Sequence, residues 1–195
     1  MTEPEKFSIL YADPPWDYKG QTQHSTTSTT GGAESHYGTQ TLRELKLLDV
    51  QSVCEEDALL FLWSSSPHLD QAVELMRAWG FQYKTIAFVW EKKRANPGYY
   101  TLSECELCLV GKRGKIPSPR GSRRERQFLS ELRRAHSQKP DEIRNRIGRM
   151  FPAQNKLEMF ARTATPGWRV FGNEVEGSIQ IPQRLPAVAD VNYIV

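Results

Sequence analysis

Apolar residues along this 195-residue chain come in short unbroken runs separated by polar, Gly-rich or Pro-rich stretches. FSILYA at 7–12 runs straight into Asp-Pro-Pro, ALLFLW fills 58–63, YKTIAFVWE fills 83–91 and CELCLVG fills 105–111. Runs this short, bounded by turn residues, read as strands rather than helices. KLEMFAR at 156–162 and WRVFG at 168–172 predict two more. Helical patterns lie between them. Apolar residues recur at helical spacing over 42–54. Ser66 and Pro67 open a helix that runs to Trp79 and stops at Gly80. Pro140 opens another, with Asp141 and Glu142 in the first turn, where acids complement the helix dipole.

Continuously apolar strands that alternate with helices belong to a parallel sheet covered on both faces. The predicted class is therefore α/β, a three-layer sandwich. Ligands of such sheets bind beyond the carboxyl ends of the strands. The Asp-Pro-Pro-Trp segment at 13–16, a loop predicted over 92–103, the segment after the fourth strand and Asn173-Glu174 all follow strands. They are expected to gather on one edge. One spacing resists simple alternation. Only Thr163–Gly167 separate the last two strands, fewer than the dozen or so residues of a helical crossover. Residues 17–41 read as a long loop, and 175–195 take no assignment.

Length and composition narrow the class. The chain fits one domain over 1–195, with a core at about 7–176, a basic segment at 112–134 and a tail at 177–195. No apolar run approaches the roughly 18 residues that a transmembrane helix needs. The first ten residues, MTEPEKFSIL, lack an apolar signal core, so a cytoplasmic protein without membrane contact is expected. Cys54, Cys105 and Cys108 make an odd count, which argues against a disulfide framework. Cys105 and Cys108 have CxxC spacing but sit in a strand, where i and i+3 point to opposite faces. No second pair completes a zinc site, so reduced cysteines and no metal are expected.

Charge is unevenly placed. Residues 112–134 hold nine basic side chains against Glu125 and Glu131, although the whole chain carries only +3. Everything outside that segment is therefore net acidic. Concentrated positive charge is the footprint of a nucleic-acid contact, with Arg123, Arg124 and Arg126 as candidates, or else a solvated loop.

The strand-ending Asp13-Pro14-Pro15-Trp16 suits one chemistry in particular. The 6-amino nitrogen of adenine is a poor nucleophile, because its lone pair is delocalised into the ring. Two rigid hydrogen-bond acceptors on its N–H groups favour a tetrahedral nitrogen. Asp13 supplies a carboxylate, an acceptor-only group when ionised. The Pro14 carbonyl is held by locked φ angles, which Pro15 extends. Trp16 offers a ring on which a base can stack. A duplex base must be flipped to reach such a pocket, at a cost of a few kcal/mol. Stacking returns about 1–3 kcal/mol.

The chain resembles the adenine N(6)-methyltransferase family of the catalytic subunit of the eukaryotic messenger-RNA adenine methylase, and its small bacterial and phage members. The matching segments are ADPPW (12–16), HYGT (36–39), LLFLW (59–63), AWGF (78–81), VWEK (89–92), ECELCLVGKRG (104–114), HSQKPDEIRNRI (136–147), KLEMFAR (156–162) and GWRVFGNEV (167–175). The resemblance implies a Rossmann-like methyltransferase fold, permuted so that the catalytic loop precedes the cofactor-binding segments. It implies S-adenosylmethionine as cofactor, S-adenosylhomocysteine as product, and residues 13–16 as catalytic loop. Asp13, Lys139, Glu158, Arg162, Asn173 and Glu174 match cofactor-site positions. Among these, Lys139 falls near the methionine carboxylate, and Asn173 and Glu174 fall at the ribose hydroxyls. Tyr37 and Glu106 match positions near the acceptor adenosine, and Lys92 and Tyr99 sit in the loop that in the family often closes over the site, so all four are expected to bind substrate. The chain starts six residues before its first strand, so an acidic contact to the cofactor's adenine, upstream in larger relatives, is expected from elsewhere. Position 174 is Glu where the messenger-RNA enzyme has Gln. The implied partner is nucleic acid, DNA before RNA, with a homodimer or a partner subunit left open. A non-catalytic binding partner is a third reading, against which the intact Asp-Pro-Pro-Trp counts.

Overall fold

Two strands buried on both faces decide the architecture. In a computed structural model, described over residues 5–17, 38–98, 100–133, 138–173 and 175–185, these are β1 (Phe7–Ala12) and β2 (Cys54–Ser64). They pair in parallel at the middle of the sheet. Because side chains alternate across a strand, Leu10, Ala12, Leu60 and Leu62 point into one core, and Ile9, Tyr11, Leu59, Phe61 and Trp63 into another. The first core is covered by α1 (Leu42–Leu47) and α2 (Leu69–Ala78), the second by α3 (Asp141–Met150) through Ile143 and Ile147. Fully burying a Leu or Phe side chain contributes roughly 1.5–3 kcal/mol, so two filled faces hold the strands firmly. The expected three-layer α/β class is what forms.

The sheet has seven strands in the order β5-β3-β4-β2-β1-β6-β7. The others are β3 (Gln82–Pro97), β4 (Leu102–Arg113), β5 (Phe128–Ser130), β6 (Lys156–Met159) and β7 (Arg169–Phe171). Among the described residues only β4 runs against the rest: it is antiparallel to both β2 and β3, and every other pairing is parallel.

Three local expectations are corrected. The stretch 92–103 is not a loop, because β3 continues to Pro97 and β4 starts at Leu102, leaving a hairpin turn. The pattern over 42–54 is not one helix. After α1, whose Thr41 and Glu44 form a capping box, the chain makes a 3-10 turn at Val50–Val53 and enters β2. β6 ends at Met159 rather than 162, since Phe160 takes φ 61°, a left-handed conformation that no strand continues through. The short link between the last two strands is real: β6 and β7 pair in parallel, and no helix is found at 160–168.

The reversed β4 also corrects the expectation for the basic segment. It delivers residue 114 to the amino edge, where the Lys115 backbone N–H donates to Asp57 (2.7 Å). Gly121 and Ser122 then bond the carbonyls of Met150 and Arg149, at the end of α3. From there the chain returns along α3. Arg146 donates to the carbonyls of Arg126 (2.7 Å) and Phe128 (3.0 Å), and β5 joins β3. Arg123, Arg124 and Arg126 are exposed, but they begin about 15 Å, the length of α3, from the carboxyl edge of the sheet.

The strip is fastened to α3 by Arg149, which grips Glu125 at 2.8 and 3.1 Å. Hydrogen bonds from Arg149 hold the Glu125 carboxyl down at about 2, against an ordinary 4.5. A carboxyl lowered on folding stabilises the fold fully above the unfolded value and loses that contribution as pH falls through the folded one. Glu125→Gln should therefore flatten the loss of stability between about pH 4.5 and pH 2, measured by chemical denaturation across that range. Salt should shrink the difference between variant and parent, because the pair lies at the surface.

Candidate active site

Residues distant in sequence meet beyond the carboxyl end of β1. Asp13 is the first residue after that strand, and its backbone N–H reaches the Met159 carbonyl at the end of β6 (3.5 Å). Its carboxylate takes the Lys139 ammonium at 2.7 and 2.9 Å. Lys139 precedes α3 by two residues and also touches Glu106 of β4 (3.3 Å). Glu106 in turn meets Lys92 of β3 (3.5 Å). The Lys139 ammonium also lies 5.6 Å from the centre of the Trp63 ring, a cation–π distance. Two carboxylates push its proton affinity well above the ordinary range, against the effect of burial, so it stays charged.

Burial pushes the Asp13 carboxyl up, and Lys139 pulls the other way. Glu106 is also desolvated, but Lys139 and Lys92 together bring its carboxyl below the usual value. The resemblance placed Lys139 by the methionine carboxylate. In the folded chain its ammonium is the counter-ion of Asp13, and the Glu106 side chain is part of the same cluster.

The Asp-Pro-Pro-Trp loop is clamped. The Trp16 backbone N–H donates to the Pro14 carbonyl (2.9 Å), and the Gln40 N–H donates to the Pro15 carbonyl (2.8 Å). A carbonyl has two lone pairs, so Pro14 keeps one for a ligand. Trp16 sits differently from the expected stacking platform. Its ring is 5% exposed, lies in the α1–α2 core, stacks on His68 (5.7 Å, 15°) and donates Nε1–H to the Trp63 carbonyl (3.3 Å). The ring anchors the loop from below rather than facing the cleft.

A cleft opens beside Asp13 between the ends of β1 and β6 and the start of α3. Tyr11, Lys139, Arg144, Glu158 and Arg162 line it. Glu158 accepts two hydrogen bonds from Arg144 (2.8 and 3.1 Å), and Arg144 also pairs with Asp141. Arg144 was not foreseen, although an Arg three residues after an Asp on a helix is a readable signal. Tyr11 and Trp63 were read only as strand residues. They are joined by a hydrogen bond from Trp63 Nε1 to the Tyr11 hydroxyl (2.7 Å). Arg162 and Asn173 are exposed on the same edge. Tyr37, Tyr99 and Glu174 lie outside the described residues.

The donor set fits S-adenosylmethionine. One cleft presents both carboxylates and cations, and the buried Nε of Arg144 has no hydrogen-bond partner. An amino acid attached to a sulfonium and a ribose needs that mixture of charges and acceptors. Phe160 turns the chain sharply, so Ala161 and Arg162 form the cleft wall. Gly172 lets β7 approach them, with the Ala161 N–H on the Phe171 carbonyl (3.1 Å). Among the described residues no cluster of three His, Cys, Asp or Glu suits a metal, and no helix is long and apolar enough to cross a membrane.

The charged cleft lies beyond the carboxyl ends of β1 and β6, where open α/β sheets bind their ligands. The MT-A70 family matches residues 7–174, and the chain belongs to that family. It is thus an S-adenosylmethionine-dependent methyltransferase. It is 43% identical over 191 residues to the type II methyltransferase M.MunI of Mycoplasma sp., covering 91% of this chain and 82% of that protein. It is 30% identical over 185 residues to the human N(6)-adenosine-methyltransferase catalytic subunit METTL3, covering 88% of this chain and 29% of that one. The Drosophila melanogaster N(6)-adenosine-methyltransferase MT-A70-like protein is 29% identical over 187 residues, covering 91% and 28%. The chain spans less than a third of the length of these last two.

A Cβ at position 172 would run into the Ala161 carbonyl oxygen. Gly172→Ala should push the 160–163 wall outward. Binding of S-adenosylhomocysteine, measured by calorimetry, should weaken about tenfold, which is about 1.4 kcal/mol.

Proposed function

We propose that the chain methylates the 6-amino nitrogen of adenine in DNA, with Asp13 and the Pro14 carbonyl as acceptors of the two amino N–H bonds. The observation that carries this reading is the Asp13 carboxylate held at the cleft mouth by Lys139, one residue from a carbonyl fixed in a Pro-Pro turn. S-adenosylmethionine supplies an electrophilic methyl on its sulfonium. Asp13 and Pro14 draw the nitrogen lone pair out of ring conjugation and hold it in one direction. Most of the rate gain is then positioning, which for well-oriented groups is worth about 7–11 kcal/mol. Arg162, Asn173, Glu174 and the Arg144-braced Glu158 are proposed to hold the cofactor. Tyr37, Tyr99 and Glu106 are proposed to bind the acceptor.

One feature supports DNA over RNA: likeness over most of both chains to a type II methyltransferase, against a match to under a third of the adenosine methyltransferases. The exposed basic strip suits the phosphate backbone of either polymer. A duplex adenine must leave the stack to reach Asp13. The test is transfer of labelled methyl to matched single- and double-stranded DNA and RNA, followed by nucleoside mass spectrometry. N6-methyladenine in DNA is expected; label confined to RNA would overturn the DNA reading.

Asp13→Asn should reduce transfer by about a thousandfold or more, since a removed electrostatic partner at a reacting centre costs 10²–10³ and here the orientation is lost as well. Asp13 must be ionised to accept, and burial raises its carboxyl. The acid limb of kcat/KM should therefore lie above the ordinary aspartate value of about 4, with activity falling as pH drops through it. Neutralising Arg123, Arg124 and Arg126 together should lower the slope of log affinity against log salt by about 2–3 if each meets one phosphate of a duplex.

A further inference from the structure

Lys92 occupies a position that the proposed transfer leaves unexplained. It is 6% exposed, and among the described residues it is the only charged side chain in the buried interior. The backbone is built to put it there. Glu91 pairs with Cys105, and the next paired position on β3 is Asn96, opposite Ser103. Four residues of β3, 92–95, thus stand against the single Glu104 of β4. This bulge carries Lys93 at φ 51°, a left-handed conformation costing of order 1–3 kcal/mol outside glycine. Lys93, Arg94 and Ala95 are turned out to solvent. Bulges of this kind re-aim a side chain. Here Lys92 lies on the face of Trp90, whose cross-strand partner is Glu106, and its ammonium ends 3.5 Å from Glu106 Oε1.

The outcome is a row of alternating charge: Lys92, Glu106, Lys139, Asp13, with successive contacts of 3.5, 3.3 and 2.7 Å. Lys139 is shared by two carboxylates, one just beyond β1 and one on β4. Whatever neutralises Glu106 leaves more of Lys139 to Asp13. Lys92 is the other cation on Glu106, and its burial keeps it from a phosphate or a base. We propose that Lys92 is a positioning residue: through Glu106 and Lys139 it holds the Asp13 carboxylate in the orientation that accepts the amino N–H. Its role is thus indirect, in place of the substrate contact that the resemblance implies. This inference rests on Asp13 as the acceptor.

Several charged or titratable groups face Asp13 from the surrounding elements: Lys139 before α3, Glu106 and Cys108 on β4, Tyr11 on β1, and Glu158 and Arg162 on and after β6. Lys92 touches Glu106, and its geometric connection to Asp13 runs through Glu106 and Lys139. The test is a ¹³C NMR titration of the Asp13 carboxyl in the whole, cofactor-free enzyme, with its resonance assigned by its loss in Asp13→Asn. Lys92→Met keeps the apolar stem and should raise the Asp13 titration by about 0.5–1 pH unit. The acid limb of kcat/KM should move with it, and KM for S-adenosylmethionine should stay unchanged. Lys92→Arg should restore the parent titration. Lys92→Met/Glu106→Gln should lower it again, because the competing carboxylate is gone. An Asp13 titration unmoved in Lys92→Met would overturn the proposal. So would a raised KM for DNA with a fixed acid limb, which marks a direct substrate contact. The titration reads out even if no adenine is methylated, so the two readings fail separately.

Discussion

The site depends on one ammonium group. Lys139, its side chain 14% exposed, bridges the residue that follows β1 and the reversed strand β4, through Asp13 and Glu106. Without it, two carboxylates would face each other in a desolvated corner, and one would take up a proton. Breaking such a pair by removing one partner costs about 3–5 kcal/mol, although the intact pair adds little net stability. Its value is therefore positional. It ties the approach to α3 to the strand ends, and the rest of the edge is arranged around that tie: the Trp63 ring beneath the ammonium, Tyr11 bonded to Trp63, and Arg144 bracing Glu158 one turn into the helix.

Much of this was legible in the sequence where pattern and burial coincide. β1 and the Ala58–Trp63 stretch of β2 are apolar because both faces are covered, and they follow directly from the pattern; the charged start of β2, Glu55–Asp57, does not. Asp13 and Lys139 stood out as candidate site residues, the first from its place after a strand and the second from the family resemblance. Their pairing did not, since 126 residues separate them and only the topology brings them together. The extension of β3 through Lys92–Pro97 was hidden by charged and turn-forming residues. A bulge explains why: outward-facing Lys93, Arg94 and Ala95 break the alternation that marks a strand. The direction of β4 left no trace in its composition, because a strand buried on both faces looks alike whichever way it runs.

That direction governs where positive charge ends up. A parallel β4 would have carried residue 114 to the carboxyl edge, where the cleft lies. The reversed strand carries it to the opposite edge, and the chain must travel the length of α3 to return. Arg146 and Arg149 spend their hydrogen bonds fixing that return path. Exposed arginines are thereby spaced along a flank instead of crowding the cleft. Phe128 and Leu132, both more than half exposed, sit at the end nearest the site.

Trp16 makes the acceptor half of the site part of the protein's interior. Its ring shares a core with Leu10, Leu60 and Leu62 and is pinned by His68 and the Trp63 carbonyl. The loop above it cannot swing aside without opening that core. On the proposed reading the adenine receptor is thus a fixed socket, and adaptation falls to the nucleic acid, which must deform to present its base. Selectivity between polymers and sequences then becomes a question of how readily each yields a base, more than of what the socket itself recognises.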